Sequence, residues 1–291
     1  MRQRFKRGCL ASLVLLLLLT LGAVSFVWVQ ARRTPAGRPE YVALGSSFAA
    51  GAGLGALQEG SPLLCARTRS GYPQQLAGTR RLSIVDMSCG GAVTRHLLSG
   101  GQFFQGPQVR AISRDTRLVT ITVGGNDVGY VGDLQLLAAR RSGTLFGWLV
   151  KRIWSGPRNA SDRNYGRLQS ELLAVLRAVN ERAPGVRIIV ATYPAILPAA
   201  GTCPRLGLTS EEVALMRDVG DRMAAATRAA TKQGDAILAD MHVAGEGHNA
   251  CSADPWTKGW TDLAKAPFHP TISGARATAD AISSALDHQQ L

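Results

Sequence analysis

Two adjacent serines, two glycine-bounded turns and one late histidine are the residues here whose types and spacing could do chemistry. Ser46 and Ser47 follow Tyr41-Val42-Ala43-Leu44-Gly45, four residues suited to a buried strand that run into a glycine, and precede Phe48-Ala49-Ala50-Gly51. A serine at such a strand-to-helix turn is placed like a nucleophile, although serine also caps helices by accepting hydrogen bonds from free N–H groups. Its hydroxyl attacks poorly unless a base lies within hydrogen-bond reach and donors await the developing oxyanion. His269, in Pro267-Phe268-His269-Pro270, is the candidate base. The candidate donors are the backbone N–H of Gly91 in Ser88-Cys89-Gly90-Gly91, the neutral amide of Asn126 in Gly124-Gly125-Asn126-Asp127, and the N–H of Ser47 itself. Alone, each reads as a turn, a cap or a loop histidine. Together and in this order they point to acyl transfer through serine, with no cofactor and no metal.

The elements that must position these groups alternate along the chain. Strands are expected over residues 41 to 44, 82 to 87, 118 to 123, 187 to 192 and 236 to 239. A helix is expected over 73 to 78. Another starts near 161, with Leu168, Leu172, Leu173, Leu176 and Val179 on one face until Pro184-Gly185 stops it. Thr209 and Glu212 form a capping-box pattern that opens a helix to about 232, and a last helix covers 273 to 286. This rhythm predicts an α/β fold: a three-layer α/β/α sandwich on a mostly parallel sheet with right-handed crossovers. In such sheets reactive groups gather beyond the carboxyl ends of the strands, where Ser47, Gly91 and Asn126 would lie.

On these blocks the chain resembles the SGNH hydrolases, or GDSL-like lipases and esterases, over residues 40 to 287, and looks closest to their secreted actinobacterial branch. Tyr41 to Phe48 is similar to the first block, Cys89-Gly90-Gly91-Ala92 to the second, Gly124-Gly125-Asn126-Asp127 to the third and His269-Pro270 to the last. The resemblance implies a flavodoxin-like sandwich with strand order 2-1-3-4-5 and ester hydrolysis through an acyl-serine. Ser47 would be the nucleophile, His269 the base, and Gly91 and Asn126 the oxyanion donors. Three positions depart from the family pattern. Ser46 replaces aspartate, Gly90 replaces serine, and Ala266 replaces the aspartate three residues before the histidine. Without that carboxylate, His269 needs another group to fix its tautomer. The candidates are a backbone carbonyl, that of Ala266 foremost, or the carboxylates of Asp262 or Asp254, giving a Ser-His dyad or an atypical triad. Two other readings stand beside the esterase: an O-acetyl esterase of cell-envelope glycans, and a non-catalytic envelope-binding module on the same fold.

The 291 residues are 46% apolar, enough for one large core, and the organisation reads as three parts. Residues 1 to 31 are a signal peptide or N-terminal membrane anchor: Arg2, Arg4, Lys6 and Arg7 precede an uncharged run of leucines and valines, so this end stays inside and the domain is exported. Leu10 to Val29 is long enough to span, whereas Val29-Gln30-Ala31 would also tolerate cleavage after Ala31. Residues 32 to 40 are a tether and 41 to 291 the catalytic domain, expected to act as a monomer on a small acyl ester or lipid. Four cysteines in an exported domain imply two disulfides. Three pairings are open, and nearest neighbours favour Cys65-Cys89 and Cys203-Cys251. The alternative metal set Asp240, His242, His248 and Cys251 matches no common spacing.

The net charge of +13 is local rather than general, which argues against nucleic acid as a partner. Residues 1 to 38 hold seven basic and no acidic residues, and residues 140 to 167 hold Arg140, Arg141, Lys151, Arg152, Arg158, Arg163 and Arg167 against Asp162. That basic stretch encloses Leu145-Phe146-Gly147-Trp148-Leu149-Val150-Lys151-Arg152-Ile153-Trp154. The plainer expectation is an amphipathic helix with its apolar face packed on the core. The alternative is a surface element resting on anionic lipid.

Overall fold

The computed structural model describes residues 2–32 and 38–288. Most of the expected tether (33–37) and the last three residues of the expected domain lie outside the described residues. Five strands, β1 (Tyr41–Gly45), β2 (Ile84–Asp86), β3 (Leu118–Thr122), β4 (Arg187–Ala191) and β5 (Ile237–Ala239), form one parallel sheet in the order β2-β1-β3-β4-β5. The described helices are α1 (Arg2–Ala31), α2 (Ser47–Ala50), α3 (Tyr72–Arg80), α4 (Thr94–Ser99), α5 (Tyr130–Ala139), α6 (Leu145–Ile153), α7 (Tyr165–Arg182), α8 (Ser210–Gln233), α9 (Met241–Ala244) and α10 (Ile272–Asp287). A parallel pair cannot be joined by a hairpin, so each successive strand is reached through helix.

Both sheet faces are covered, which is why the strands read as almost continuous apolar runs. Alternate residues of β1 serve different layers: Val42 and Leu44 pack with Leu172, Val175 and Leu176 of α7, while Tyr41 and Ala43 pack with Tyr72 and Leu76 of α3 and Ile282 of α10. The threonines of β3 have a use on this second side. Thr120 Oγ1 lies 2.7 Å from the buried Tyr41 hydroxyl and Thr122 Oγ1 3.0 Å from that of Tyr72, so neither phenol is left without a partner.

The sequence boundaries hold with local exceptions. β2 is shorter than residues 82 to 87 because Arg81 takes a left-handed φ of 53° and Leu82 N–H donates to Ala77 O, both closing α3. The Thr209-Glu212 capping box forms in both directions, at 3.2 and 2.9 Å. Both favoured disulfides are present, Cys65–Cys89 and Cys203–Cys251. Closing loops of 24 and 48 residues, each stabilises by roughly 3–4 kcal/mol on a chain-entropy estimate. Cys251 is thus no thiolate ligand, and the other residues of the metal set are separately engaged: Asp240 with Arg228, His242 with Asp221, His248 with Asp254.

The packed reading of the basic stretch is corrected. α6 forms, but only Gly147 and Val150 are buried; Leu145 is 80% and Ile153 74% exposed, and Phe146, Trp148 and Leu149 are exposed with them. Gly147 sets this orientation: a Cβ there would stand 2.2 Å from Ala139 O, so α6 crosses the end of α5 on its glycine face and turns its large side chains outward. Three of the seven basic residues pair with carboxylates outside the stretch, Arg141 with Glu212, Arg163 with Asp133 and Arg167 with Glu171. Arg140 and Arg152 instead lie 5.7 and 5.0 Å from the ring centroids of Trp154 and Trp148.

Candidate active site

Ser47 opens α2 directly after β1, at the carboxyl edge of the sheet. Gly45 makes the turn possible. Its φ is 144°, and a Cβ would meet Thr122 O at 2.2 Å. The side chain of Gln108 clamps this glycine, accepting from Gly45 N–H at 2.8 Å and donating to Gly45 O at 3.0 Å. The two serines then divide. Ser46 is wholly buried with its hydroxyl 2.5 Å from Tyr193 Oη, whereas Ser47 Oγ lies 2.8 Å from His269 Nε2. Only Ser47 is within reach of a base.

His269 is buried, and a short antiparallel contact holds its segment: Thr257 bridges Pro270, Lys258 N–H donates to His269 O at 2.8 Å, and Phe268 N–H donates to Gly259 O. Its Nδ1 lies 3.0 Å from Pro267 O. A carbonyl only accepts, so Nδ1 carries the proton and Nε2 is free to accept from Ser47. The orienting group is therefore a backbone carbonyl, but that of Pro267 rather than Ala266. Ala266 and Phe268 on either side both adopt left-handed φ, 52° and 60°, a conformation costly for residues with a Cβ, and this bend aims the Pro267 carbonyl at the ring. Asp262 makes no contact with the ring among the described residues: its exposed carboxylate caps Leu263–Lys265 and pairs with Lys265 Nζ at 3.1 Å. The Asp254 carboxylate lies beside His248. Asp262→Asn should accordingly change kcat by less than about threefold; a fall near 10⁴-fold, the order found when a triad aspartate is neutralised, would return Asp262 to the catalytic set.

Burial lowers the His269 pKa from 6.5 to about 4; Pro267 O opposes the shift and nearby Lys258 adds to it. The ring is neutral at pH 7 and fit to accept a proton.

The candidate oxyanion turn at Gly91 is tied to the serine turn by main chain. Cys89 N–H donates to Gly45 O at 3.0 Å, and Gly90 N–H to Cys65 O at 2.9 Å. Gly91 follows at φ 78°, and its N–H has no partner among the described residues. Asn126 Nδ2 donates to Ala92 O at 2.9 Å, which spends one amide hydrogen, fixes the side chain beside Gly91 and leaves the other hydrogen free. Asp127 draws the two turns together, with Oδ1 2.9 Å from Thr94 N and 2.6 Å from Thr94 Oγ1, while Thr94 Oγ1 also contacts Glu171. Beside Asn126 opens a cleft of about 330 Å³, with Arg95, Arg158, Arg167 and Glu171 among its walls.

A serine hydroxyl hydrogen-bonded to a buried histidine, with the Gly91 turn tied to the serine turn and to Asn126, is the arrangement the sequence blocks anticipate, and a GDSL-like lipase/acylhydrolase family model matches residues 43–277. The chain belongs to that family. Its fold and its activity follow the membership: this GDSL-like member is a carboxylic-ester hydrolase. It is similar to Lipase 2 of Streptomyces coelicolor, at 30% identity over 83% of each chain. Among solved structures it is similar to an extracellular lipase from Streptomyces rimosus, at 26% identity and a TM-score of 0.69, covering 84% of this chain and 98% of that one. It is also similar to phospholipase A1 from Streptomyces albidoflavus, at 26% identity and a TM-score of 0.67, covering 85% and 99%. Its N-terminal helix has the length and composition of a signal sequence or a membrane span.

Three residues of this GDSL-like site escape motif reading. Gln108 acts on Gly45 across 63 positions, Tyr193 acts on Ser46 across 147 and stacks on Phe48 with ring centroids 3.9 Å apart, and Pro267 contributes only its carbonyl. The one local signal is that Tyr193 directly follows the strand expected over 187 to 192, at the sheet edge where reactive groups gather.

Proposed function

We propose that Ser47 and His269 form a catalytic dyad that hydrolyses lipid-like acyl esters outside the cytoplasm, in a monomer held to the membrane by α1. The 2.8 Å contact between Ser47 Oγ and His269 Nε2 carries this reading. As Oγ attacks the ester carbon, its proton passes to Nε2, and the carbonyl oxygen takes up negative charge against Gly91 N–H and Asn126 Nδ2. Pro267 O stabilises the imidazolium through the Nδ1 proton. Collapse expels the alcohol, protonated by Nε2, and leaves the acyl-serine. Water then attacks with His269 as base, releasing the acid and restoring Ser47.

Support for a lipid-like substrate is twofold. The cleft beside Asn126 presents Arg95 and Arg158, neither ion-paired among the described residues, and so suits an alcohol bearing an anionic group, as a phospholipid does. The outward apolar face of α6 with Lys151 and Arg152 suits contact with an anionic bilayer through residues 140–167.

The kcat/KM on p-nitrophenyl esters should rise at least about tenfold from acetyl to octanoyl, since burying about two of the added CH₂ groups, at roughly 0.8 kcal/mol each, is enough for that factor. A preference for acetyl would favour the O-acetyl esterase reading instead.

A further inference from the structure

A second apolar surface lies on the oxyanion side of the site, built by two loops that no motif marks. Leu63 and Leu64 sit in the helical turn Leu63–Cys65, and Phe103 and Phe104 end the turn Gln102–Phe104. All four are exposed, Leu63 at 56% and Phe104 at 57%. Both phenylalanines adopt left-handed φ, 48° and 62°, which a residue with a Cβ takes only where its surroundings impose it. Here the surroundings are the oxyanion turn. Gln102 Nε2 donates to Gly90 O at 2.6 Å, Gln105 Nε2 contacts Cys65 Sγ at 2.8 Å, and the Cys65–Cys89 bridge joins the first loop to the residue before Gly90. The strained turn, tied to Gly90 through Gln102, thus holds two aromatic rings exposed.

Its neighbour identifies the occupant. A cavity of about 160 Å³ separates this lip from α1, with Ala23, Phe26 and Val27 on one wall and Leu63, Leu64 and Phe103 on the other. Ser12–Ala31 of α1 spans 20 residues at a mean hydropathy of 2.5, enough to cross a hydrocarbon core of about 30 Å. With the basic N-terminus inside, Ala31 stands at the outer face. Ala23 then lies roughly 12 Å deeper, at about 1.5 Å per residue, so a wall facing Ala23 and Phe26 is at the depth of the outer leaflet.

We infer that Leu63, Leu64, Phe103 and Phe104 form a lip that enters the outer leaflet of a phospholipid bilayer beside α1. The oxyanion turn then faces the lipid, and an ester reaches Ser47 from the leaflet without first dissolving in water. The insertion is independent of the substrate; the delivery rests on the lipid-ester reading above.

The test uses the full chain in phosphatidylcholine–phosphatidylglycerol vesicles. With Cys9→Ser and Phe104→Cys, a nitrobenzoxadiazole label at position 104 should emit in the blue-shifted range of an apolar medium and be quenched by lipids spin-labelled in the acyl chain, but not by aqueous iodide. A water-like spectrum with full iodide quenching overturns the insertion. In parallel, Phe103→Asn with Phe104→Asn, which keeps a residue tolerant of left-handed φ, should cut hydrolysis of a long-chain ester embedded in the vesicles about tenfold. It should leave p-nitrophenyl acetate within twofold. Equal losses on both substrates would make the lip a mere brace of the oxyanion turn and overturn the delivery. If the unaltered chain hydrolyses neither ester, the lipid-ester reading fails, while the label still decides whether the lip is inserted.

Discussion

Ser47→Ala is expected to lower kcat for p-nitrophenyl butyrate by at least about 10⁴-fold and to abolish labelling by a fluorophosphonate, while Ser46→Ala keeps activity within about tenfold. The first figure follows from removing the atom proposed to become acylated: in serine hydrolases this leaves only the catalysis that oxyanion donors and substrate binding provide. The second follows from where Ser46 points. Its hydroxyl is wholly buried against Tyr193, so alanine removes one hydrogen bond and costs roughly 1–2 kcal/mol of stability without touching the ester. Since Tyr193 also stacks on Phe48, the residue after Ser47, a modest rise in KM is compatible with that role. Retained labelling in Ser47→Ala, lost in Ser46→Ala, would place the nucleophile at the other serine.

His269→Ala should fall nearly as far, about 10⁴-fold or more, and combining it with Ser47→Ala should cost little further because the two act as one unit. The unaltered enzyme carries a second signature of this histidine. Its kcat/KM should hold steady from pH 8 to about 5 and decline with an apparent pKa near 4, where an unburied histidine would set the limb near 6.5. Stability should follow with a definite sign. The folded-state pKa is the lower one, so as pH drops below 6.5 the unfolded chain binds a proton that the folded chain refuses until about pH 4. The contribution is fully present above pH 6.5, is lost between there and pH 4, and is on the order of 3 kcal/mol. Urea unfolding at pH 7.5 and 4.5 should show this loss in the unaltered protein and a smaller one in His269→Ala. An acid limb near 6.5 with no such difference would mean that the histidine is solvated and not the buried base.

What could be read in the sequence was local. A strand running into Gly45-Ser46-Ser47, a glycine pair at 90 and 91, and Gly-Gly-Asn-Asp at 124 to 127 each declare their geometry within a few residues, and the alternation of strands and helices orders them along one sheet edge. What could not be read was set by contacts remote in sequence or by backbone shape without a side-chain signature. The Pro267 carbonyl holds His269 only because Ala266 and Phe268 bend left-handed, and nothing in Ala-Pro-Phe announces that. Gln108 looks like any loop glutamine until the fold brings it to Gly45. The outward face of α6 misled for a related reason: periodicity shows that a helix has an apolar side, whereas the close approach at Gly147 decides which side meets the protein.

The bridge between Cys65 and Cys89 makes the firmness of the Gly91 turn a matter of redox surroundings. Until the two thiols are oxidised, the Cys65 loop and the turn bearing Gly91 are joined there by hydrogen bonds, Gly90 N–H to Cys65 O and Arg67 Nε to Ser88 O, and not by a covalent link. Reducing cytoplasm keeps thiols apart, and the space beyond the membrane allows them to join. A chain whose Cys65 and Cys89 are still thiols would therefore hold the Gly91 turn more loosely than the bridged chain does.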